Sequence, residues 1–348
     1  MAAPRVGCDN EKHMSLTPDT RAPFAPPVVD SLSVRVVVDS HYERFLPKAE
    51  HPLVGIEHVG GIRGRQMSTL AGEWGLSLHL ESEYRGAKTQ YLLDFGYTPE
   101  VLNRNFDLLG IDPTKINGLI LSHGHRDHFG GLVGFVDVHR NRMRKDLSLY
   151  VGGETVFREK WLPKPKEGED VSWGALDRTA LTAQHVVPTC CEAPIALEGP
   201  FTTGQIERTS FEEVTGGTRV SVDHFTDAER RGELVLDQHP DEHGTCFIVK
   251  GRGLVVISSC GHAGIVNTVR TAMKVANVPK LHAVIGGFHL GMAPPEYIGH
   301  TVDELAALNP DAIIPMHCTG APFIDAMRRR MPDRVVGNNL GSRFTFGA

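Results

Sequence analysis

Between positions 123 and 128 of the run Ser122-His123-Gly124-His125-Arg126-Asp127-His128-Phe129-Gly130-Gly131 stand three imidazoles and a carboxylate. Imidazole nitrogen and carboxylate oxygen suit zinc, and equally manganese or iron, so the donor types point to a centre of one or two ions without fixing the element. His123 and His125, two apart on a turn, can face one ion, while Asp127 and His128 can face a second beside it. The bland alternative is a cluster of surface histidines. It is disfavoured because so many polar groups directly after an apolar run would lack a reason to be there. A cation held here stabilises the deprotonated form of a bound water, which supplies a nucleophile near neutral pH without an activated serine or cysteine. Asp127 then has two roles open, ligand of the second ion and acceptor that orients or deprotonates the water, with the first preferred.

Two ions need more donors than one turn supplies, and the ends of later strands are the natural source. The apolar run 254–259 leads into Cys260-Gly261-His262, the run 283–287 into Phe288-His289-Leu290, and the run 312–315 into Met316-His317-Cys318. His262, His289 and His317 are therefore the expected further ligands. If His289 is not one, it is the best donor to a developing oxyanion or leaving group. His41, His51, His58, His139, His185 and His224 have no such setting and read as surface or loop residues. Arg208, in the segment Gly204-Gln205-Ile206-Glu207-Arg208, is the candidate for binding an anionic substrate group.

The elements that must position these residues are legible in outline. Apolar residues at 116–121 predict a buried strand, and helical spacing over 130–139 predicts a helix, so the histidine cluster falls on a strand-to-helix turn. Residues 1–31, with Pro4, Pro18, Pro23, Pro26 and Pro27, predict an extended or disordered arm, followed by a single catalytic domain over 32–348. Strands at 76–81 and 91–94 predict a hairpin turning at 85–88, and 99–109 predicts a helix ending near Gly110. Residues 156–200, broken by Pro163, Pro165, Pro188 and Pro194, predict an irregular segment of the kind that binds or covers substrate, as do 41–72. From 245 onward strand and helix alternate, which is an α/β pattern.

The motif at 122–131 resembles the His-x-His-x-Asp-His signature of the metallo-β-lactamase-fold hydrolases. That resemblance implies an αββα sandwich, two mixed sheets flanked by helices, with a dinuclear metal centre at one edge. Cys260-Gly261-His262-Ala263-Gly264-Ile265-Val266-Asn267, Gly286-Gly287-Phe288-His289-Leu290 and Pro315-Met316-His317-Cys318-Thr319-Gly320 are similar to one subgroup, that of 7,8-dihydropterin-6-yl-methyl-4-(β-D-ribofuranosyl)aminobenzene 5′-phosphate synthase. So are Asp94-Phe95-Gly96, Glu73-Trp74-Gly75-Leu76-Ser77 and the 204–208 segment, so the likeness spans residues 33–345. The chain departs from the subgroup at Trp74, where a histidine is common, at Phe95, which replaces a small residue, and at Ser259 and Gly261 around the cysteine. The superfamily's bridging aspartate has no counterpart, because Cys260-Gly261-His262 occupies its place. Of Cys260 and His262, the histidine is the preferred ligand; a thiolate would favour zinc, yet a buried cysteine is commonly a small apolar filler.

The rest of the chain narrows the function class. With 348 residues, 41% of them hydrophobic, it can bury a large core, and a formal charge of −6 offers no basic field for a nucleic-acid backbone. Its six cysteines form no Cys-x-x-Cys pair and are too sparse for a disulfide scaffold. No apolar run approaches the ~18 residues of a membrane helix, and a cytoplasmic location is expected. The expected activity is that of a metal-dependent hydrolase using a metal-activated hydroxide, with zinc as first choice and manganese or iron as substitutes. Its substrate is expected to be small and anionic or phosphate-bearing, and a homodimer is compatible with the sequence. A lactonase, esterase or hydrolytic dehalogenase is the enzyme alternative, and a di-iron redox protein the alternative of another class.

Overall fold

β-Branched alternation sends Val34 and Val36 of the strand Ser31–Val38 to one side and Val37 to the other. The same split recurs in Gly253–Ser258, where Val255 and Ile257 face the first side's core and Leu254 and Val256 turn away from it. Strands that are apolar on both faces require cover on both, and the result in this computed structural model is four layers. The structure describes residues 24–59, 68–163, 170–214, 217–221 and 234–347.

One sheet has eight strands, running from Val187–Cys190 through Ser148–Val151, Gly118–Leu121, Ala87–Leu93, Ser77–Tyr84, Ser31–Val38 and Arg343–Gly347 to Gly55–Glu57. The other has six, in which Thr245–Val249, Gly253–Ser258, Leu281–Gly286 and Ala312–Pro315 follow one another, the last at an edge. Both mix parallel and antiparallel pairs. Between them lies a core that includes Val34, Leu78, Ile120, Phe247, Ile285, Ile314 and Phe344. Helices Pro99–Leu108 and Leu132–His139 cover the outer face of the first sheet through Leu102, Phe106, Leu132 and Phe135. Ile265–Ala276, Pro295–Leu308 and Ala321–Arg330 cover the second through Val269, Val302 and Phe323. Each fully buried Phe or Leu in these layers contributes about 1.5–3 kcal/mol. The expected αββα sandwich is thus present, and among the described residues no helix is long and apolar enough to cross a membrane.

Several local expectations differ from the structure. Residues 1–23 of the expected arm lie outside the described residues, and within its expected bounds Val28–Val29 forms a strand parallel to Thr245–Val249. The hairpin turn is only Arg85-Gly86, both at positive φ (54° and 75°), so Ala87 and Lys88 already belong to the second strand. Residues 156–200 are not irregular throughout. Lys160–Leu162 and Val171–Gly174 join Arg219–Ser221 and Leu234–Leu236 in a third, four-stranded sheet, and Arg178–Ala183 is helical. The expected helix over 130–139 is split. Helical turns begin at Arg126, inside the motif, and the main helix starts at Leu132. His139 is buried rather than exposed, packed on Phe106 and Phe135 with Nε2 3.0 Å from Asn103 Oδ1. His224 lies outside the described residues.

Candidate metal centre

The strand Gly118–Leu121 delivers the motif to the rim, and one carboxylate organises it there. Asp94, held at φ 57° just after Ala87–Leu93, accepts hydrogen bonds from Ser122 N and Ser122 Oγ, each at 2.8 Å. Its Oδ2 also lies 2.8 Å from His128 Nδ1. Because the Ser122 hydroxyl donates to Asp94, it must accept from His123 Nδ1, 2.9 Å away. Both imidazoles are thereby set with Nδ1 protonated and the Nε2 lone pair turned inward, the arrangement that outer carboxylates impose on metal-binding histidines.

The tight turn has no room for side chains at its glycines. A Cβ at Gly131 would stand 2.2 Å from Phe95 O, and one at Gly124 would stand 2.5 Å from Val156 O. Gly124 N donates instead to Asp241 Oδ2 at 2.7 Å.

Two sets of donors converge at this rim. Ligand atoms of His123, His125 and His262 lie within 4.8 Å of one another, and so do those of Asp127, His128 and His317. Cys260 sits between the sets, within the same span of His123 and His128. The choice between Cys260 and His262 therefore dissolves: both reach the centre, the histidine on one side and the thiol in the middle. His317 Nε2 is 3.4 Å from Asp127 Oδ2. His123 Nε2 and Asp127 Oδ1 are buried without a hydrogen-bond partner, which is costly unless something else engages them.

Electrostatics agree with a site that binds cations. Burial and the neighbouring imidazoles hold His123 well below the ordinary histidine value; burial, His239 and Lys160 do the same for His125. Burial works against the charge of Asp127, but His128 and His317 outweigh it and keep the carboxylate ionised. His317 is pushed up to about 9, since Cys318 and Asp127 more than offset its burial.

The loop that carries Cys260 and His262 has its own clamp. Glu242, fully enclosed, accepts from Gly261 N (2.8 Å), His262 N (2.9 Å) and Ala263 N (2.6 Å). His289 and His317 are held at φ 51° and 52°, a left-handed backbone uncommon for a side-chain-bearing residue and concentrated at functional sites.

His289 does not join either trio. Its Nδ1 is 3.4 Å from Cys260 Sγ and its donor atom groups with Cys260 and Cys318. Arg208 is exposed and hydrogen-bonded to Gln238 Oε1 (3.3 Å) and to the Gln238 carbonyl, so it braces that loop rather than pointing into the donor cluster.

Sequence reading missed the partners of that loop. His239 stacks on His262 (centroids 4.1 Å apart, 16° between planes), lies edge-on to His125, and forms a third donor group with His125 and Asp237. Burial pushes it down to about 4. Asp237 takes the buried Lys160 ammonium at 2.7 Å. The signal was present in Asp237-Gln238-His239-Pro240-Asp241-Glu242-His243, but only the short strand Leu234–Leu236 precedes it, without the long apolar run that marks the other ligand loops.

Nitrogen, carboxylate and thiolate donors with unpartnered buried atoms fit divalent metal, with His123, His125 and His262 able to hold one ion and Asp127, His128 and His317 another. A family model, that of the metallo-beta-lactamase superfamily, matches residues 84–258. This chain belongs to the metallo-β-lactamase superfamily. It is 34% identical over 253 residues, 71% of its own length and 81% of the relative's, to 7,8-dihydropterin-6-methyl-4-(beta-D-ribofuranosyl)-aminobenzene-5'-phosphate synthase of Methanocaldococcus jannaschii. It is 25% identical over 240 residues, 66% of this chain and 78% of the relative, to an uncharacterized protein of the same organism. In three dimensions it matches Tm1679, described as a metal-dependent hydrolase of the beta-lactamase superfamily, with a TM-score of 0.65, 22% identity, and coverage of 90% of this chain and 98% of that one. That likeness carries the fold. The superfamily is metal-dependent, and the donor set of this member fits that dependence.

Proposed function

We propose that this superfamily member is a metal-dependent hydrolase of a small anionic, phosphate-bearing substrate, with zinc as its metal. The observation that carries the reading is the pair of donor trios grown from one turn, with Cys260 between them. Bound metal would supply an activated water and a contact that polarises the substrate's oxygen. Asp127 Oδ1, buried and without a hydrogen-bond partner, is the acceptor that would orient that water and take its proton. His289 is half-buried with its ring 4.2 Å from that of His262, and its pKa is raised because Cys318 and Glu242 outweigh its burial. The ring N–H that does not face Cys260 would donate a hydrogen bond to the leaving group.

The mouth bears on substrate class. Trp74, 53% exposed, lies against His317, and Trp173 lies against His125, each with ring centroids 5.0 Å apart. Trp173 Nε1 donates to Tyr97 Oη at 3.1 Å, and the exposed Arg126 stands over the Tyr97 ring. Two indoles and a guanidinium suit a substrate with a planar ring and an anionic group, and the relative's name describes a product with both. A cavity of about 360 Å3 beside His317, lined by Asp39, His41 and Arg328 among others, is of small-molecule size. The larger cleft, about 660 Å3 beside Tyr91 and Tyr150, lies at the opposite ends of these strands and is not part of this site.

The test is elemental analysis of protein purified without added metal, beside His123→Ala and His262→Ala. At least two zinc or manganese per chain, reduced in both variants, with turnover of an aryl phosphoester lost in His123→Ala, is the expected result. Iron as the native metal would move the chain to redox chemistry, and a metal-free wild type would overturn the reading.

A further inference from the structure

Beyond the two trios, three donors converge that the hydrolytic reading does not require as ligands. Cys260, His289 and Cys318 lie in the loops after Gly253–Ser258, Leu281–Gly286 and Ala312–Pro315, three neighbouring strands paired in parallel, so the sheet itself brings them together. Cys260 Sγ is 3.2 Å from Cys318 Sγ and 3.4 Å from His289 Nδ1. All three donor atoms fall within 4.8 Å of one another, and both cysteines are free thiols. The backbone is shaped around them. A Cβ at Gly287 would stand 2.4 Å from Ser259 O and 2.8 Å from Cys318 Sγ, so only glycine there leaves the sulfur its place. His289 N points at Cys318 Sγ (3.3 Å), which fixes the loop of one donor to the atom of another.

We infer that Cys260, His289 and Cys318 form a thiolate–imidazole subsite that binds a thiophilic divalent ion, zinc in kind, of its own, sharing Cys260 with the two-trio centre. Zn–S bonds of about 2.3 Å and Zn–N bonds of about 2.0 Å put tetrahedral donors about 3.5–3.8 Å apart, so the sulfur pair must open by about half an ångström while the sulfur–nitrogen spacing already nearly fits. Two sulfurs and one imidazole nitrogen select soft or borderline ions over magnesium or calcium. Half-burial of His289 leaves the subsite a route from solvent. Two thiolates also offset the charge of a cation added beside two others. A disulfide pair, the competing account of two adjacent thiols, gives no role to the imidazole at 3.4 Å.

Cobalt(II) titration of the metal-stripped full chain under anaerobic conditions tests the subsite, using thiolate-to-cobalt charge-transfer absorption and elemental analysis as readouts. Wild type should bind one cobalt per chain more than either Cys318→Ser or His289→Ala, and Cys318→Ser should lose part of the charge-transfer absorption. The two variants lie on separate loops, so a folding failure of one, seen by circular dichroism, leaves the other as the test. His123→Ala should keep the Cys318-dependent ion and absorption, which separates this subsite from the hydrolytic centre. Equal stoichiometry and absorption in wild type and the variants, or a Cys260–Cys318 disulfide in anaerobically isolated protein, overturns the inference.

Discussion

The two sides of the metal centre are built differently. On the side of the eight-stranded sheet, His123, His125, Asp127 and His128 come from one continuous turn, and a single buried group, Asp94, orients His128 directly and His123 through Ser122. On the side of the six-stranded sheet, each strand contributes its own loop, so Cys260 with His262, His289, and His317 with Cys318 depend on three separate stretches of chain. There the organiser is Glu242, which holds one loop by its backbone N–H groups. The first side is therefore robust in geometry but has one point of failure common to both trios. The second is distributed, and its loops can fail one at a time.

Removing the common point should have the largest effect. Asp94→Ala leaves His123 and His128 without their orienting acceptor, and at 10- to 100-fold per ligand the combined loss of metal affinity is about 10²- to 10⁴-fold. Isothermal titration with zinc should show both trios weakened together, and weakening of one alone would break the comparison. Glu242→Ala strips three backbone N–H groups of their acceptor; at about 1–3 kcal/mol for each unsatisfied donor the chain should lose about 3 kcal/mol or more in urea unfolding. Metal loss in this variant should be confined to the trio containing His262, leaving Asp127, His128 and His317 occupied.

Gly131→Ala probes the turn with no change in donors. The added Cβ meets Phe95 O and cannot move a flexible side chain aside, so a stability loss of about 1–3 kcal/mol is expected, with metal stoichiometry retained in whatever fraction folds.

pH should divide the trios. In the metal-free chain His317 is raised from 6.5 to about 9, so its contribution to stability is fully present below pH 6.5 and is lost as pH rises through 9. Metal must displace that proton, so affinity at the Asp127–His128–His317 set should fall about tenfold per unit as pH drops below 9. His123 and His125 are already neutral in this range, so the other set should not show that slope. His239, lowered to about 4, works in the opposite direction: its stabilising effect is present above pH 6.5 and is lost as pH falls through 4. Zinc competition against a chromophoric chelator between pH 6.5 and 9 reads the difference directly, and parallel slopes for the two sets would sink it.

Much of the site was legible because its chemistry is written locally. The three imidazoles and the carboxylate of 123–128 are crowded into one turn after an apolar strand, and His262 and His317 share that context. The helix boundaries and the third sheet were not, because Gly130 and Gly131 are set by contacts with Tyr97 and Phe95 far along the chain, and Lys160–Leu162 pairs with Arg219–Ser221. Burial of His139 was hidden for the same reason, since its cover comes from Phe106 and Phe135 on two helices.

Residue types and strand periodicity by themselves determined the donor chemistry, the α/β pattern and the strand ends at which the donors gather, since a period of two and a run of imidazoles need no partner to be read, whereas the two-sheet sandwich was implied by the resemblance of the motifs. Tertiary structure alone decided which donors share an ion. Placing Cys260 between His123 and His128, setting His289 beside Cys318, stacking His239 on His262 and making Asp94 the orienter of two ligands all depend on strand neighbours and register. A linear pattern does not contain these, because they arise where separate segments of the chain pack on one rim.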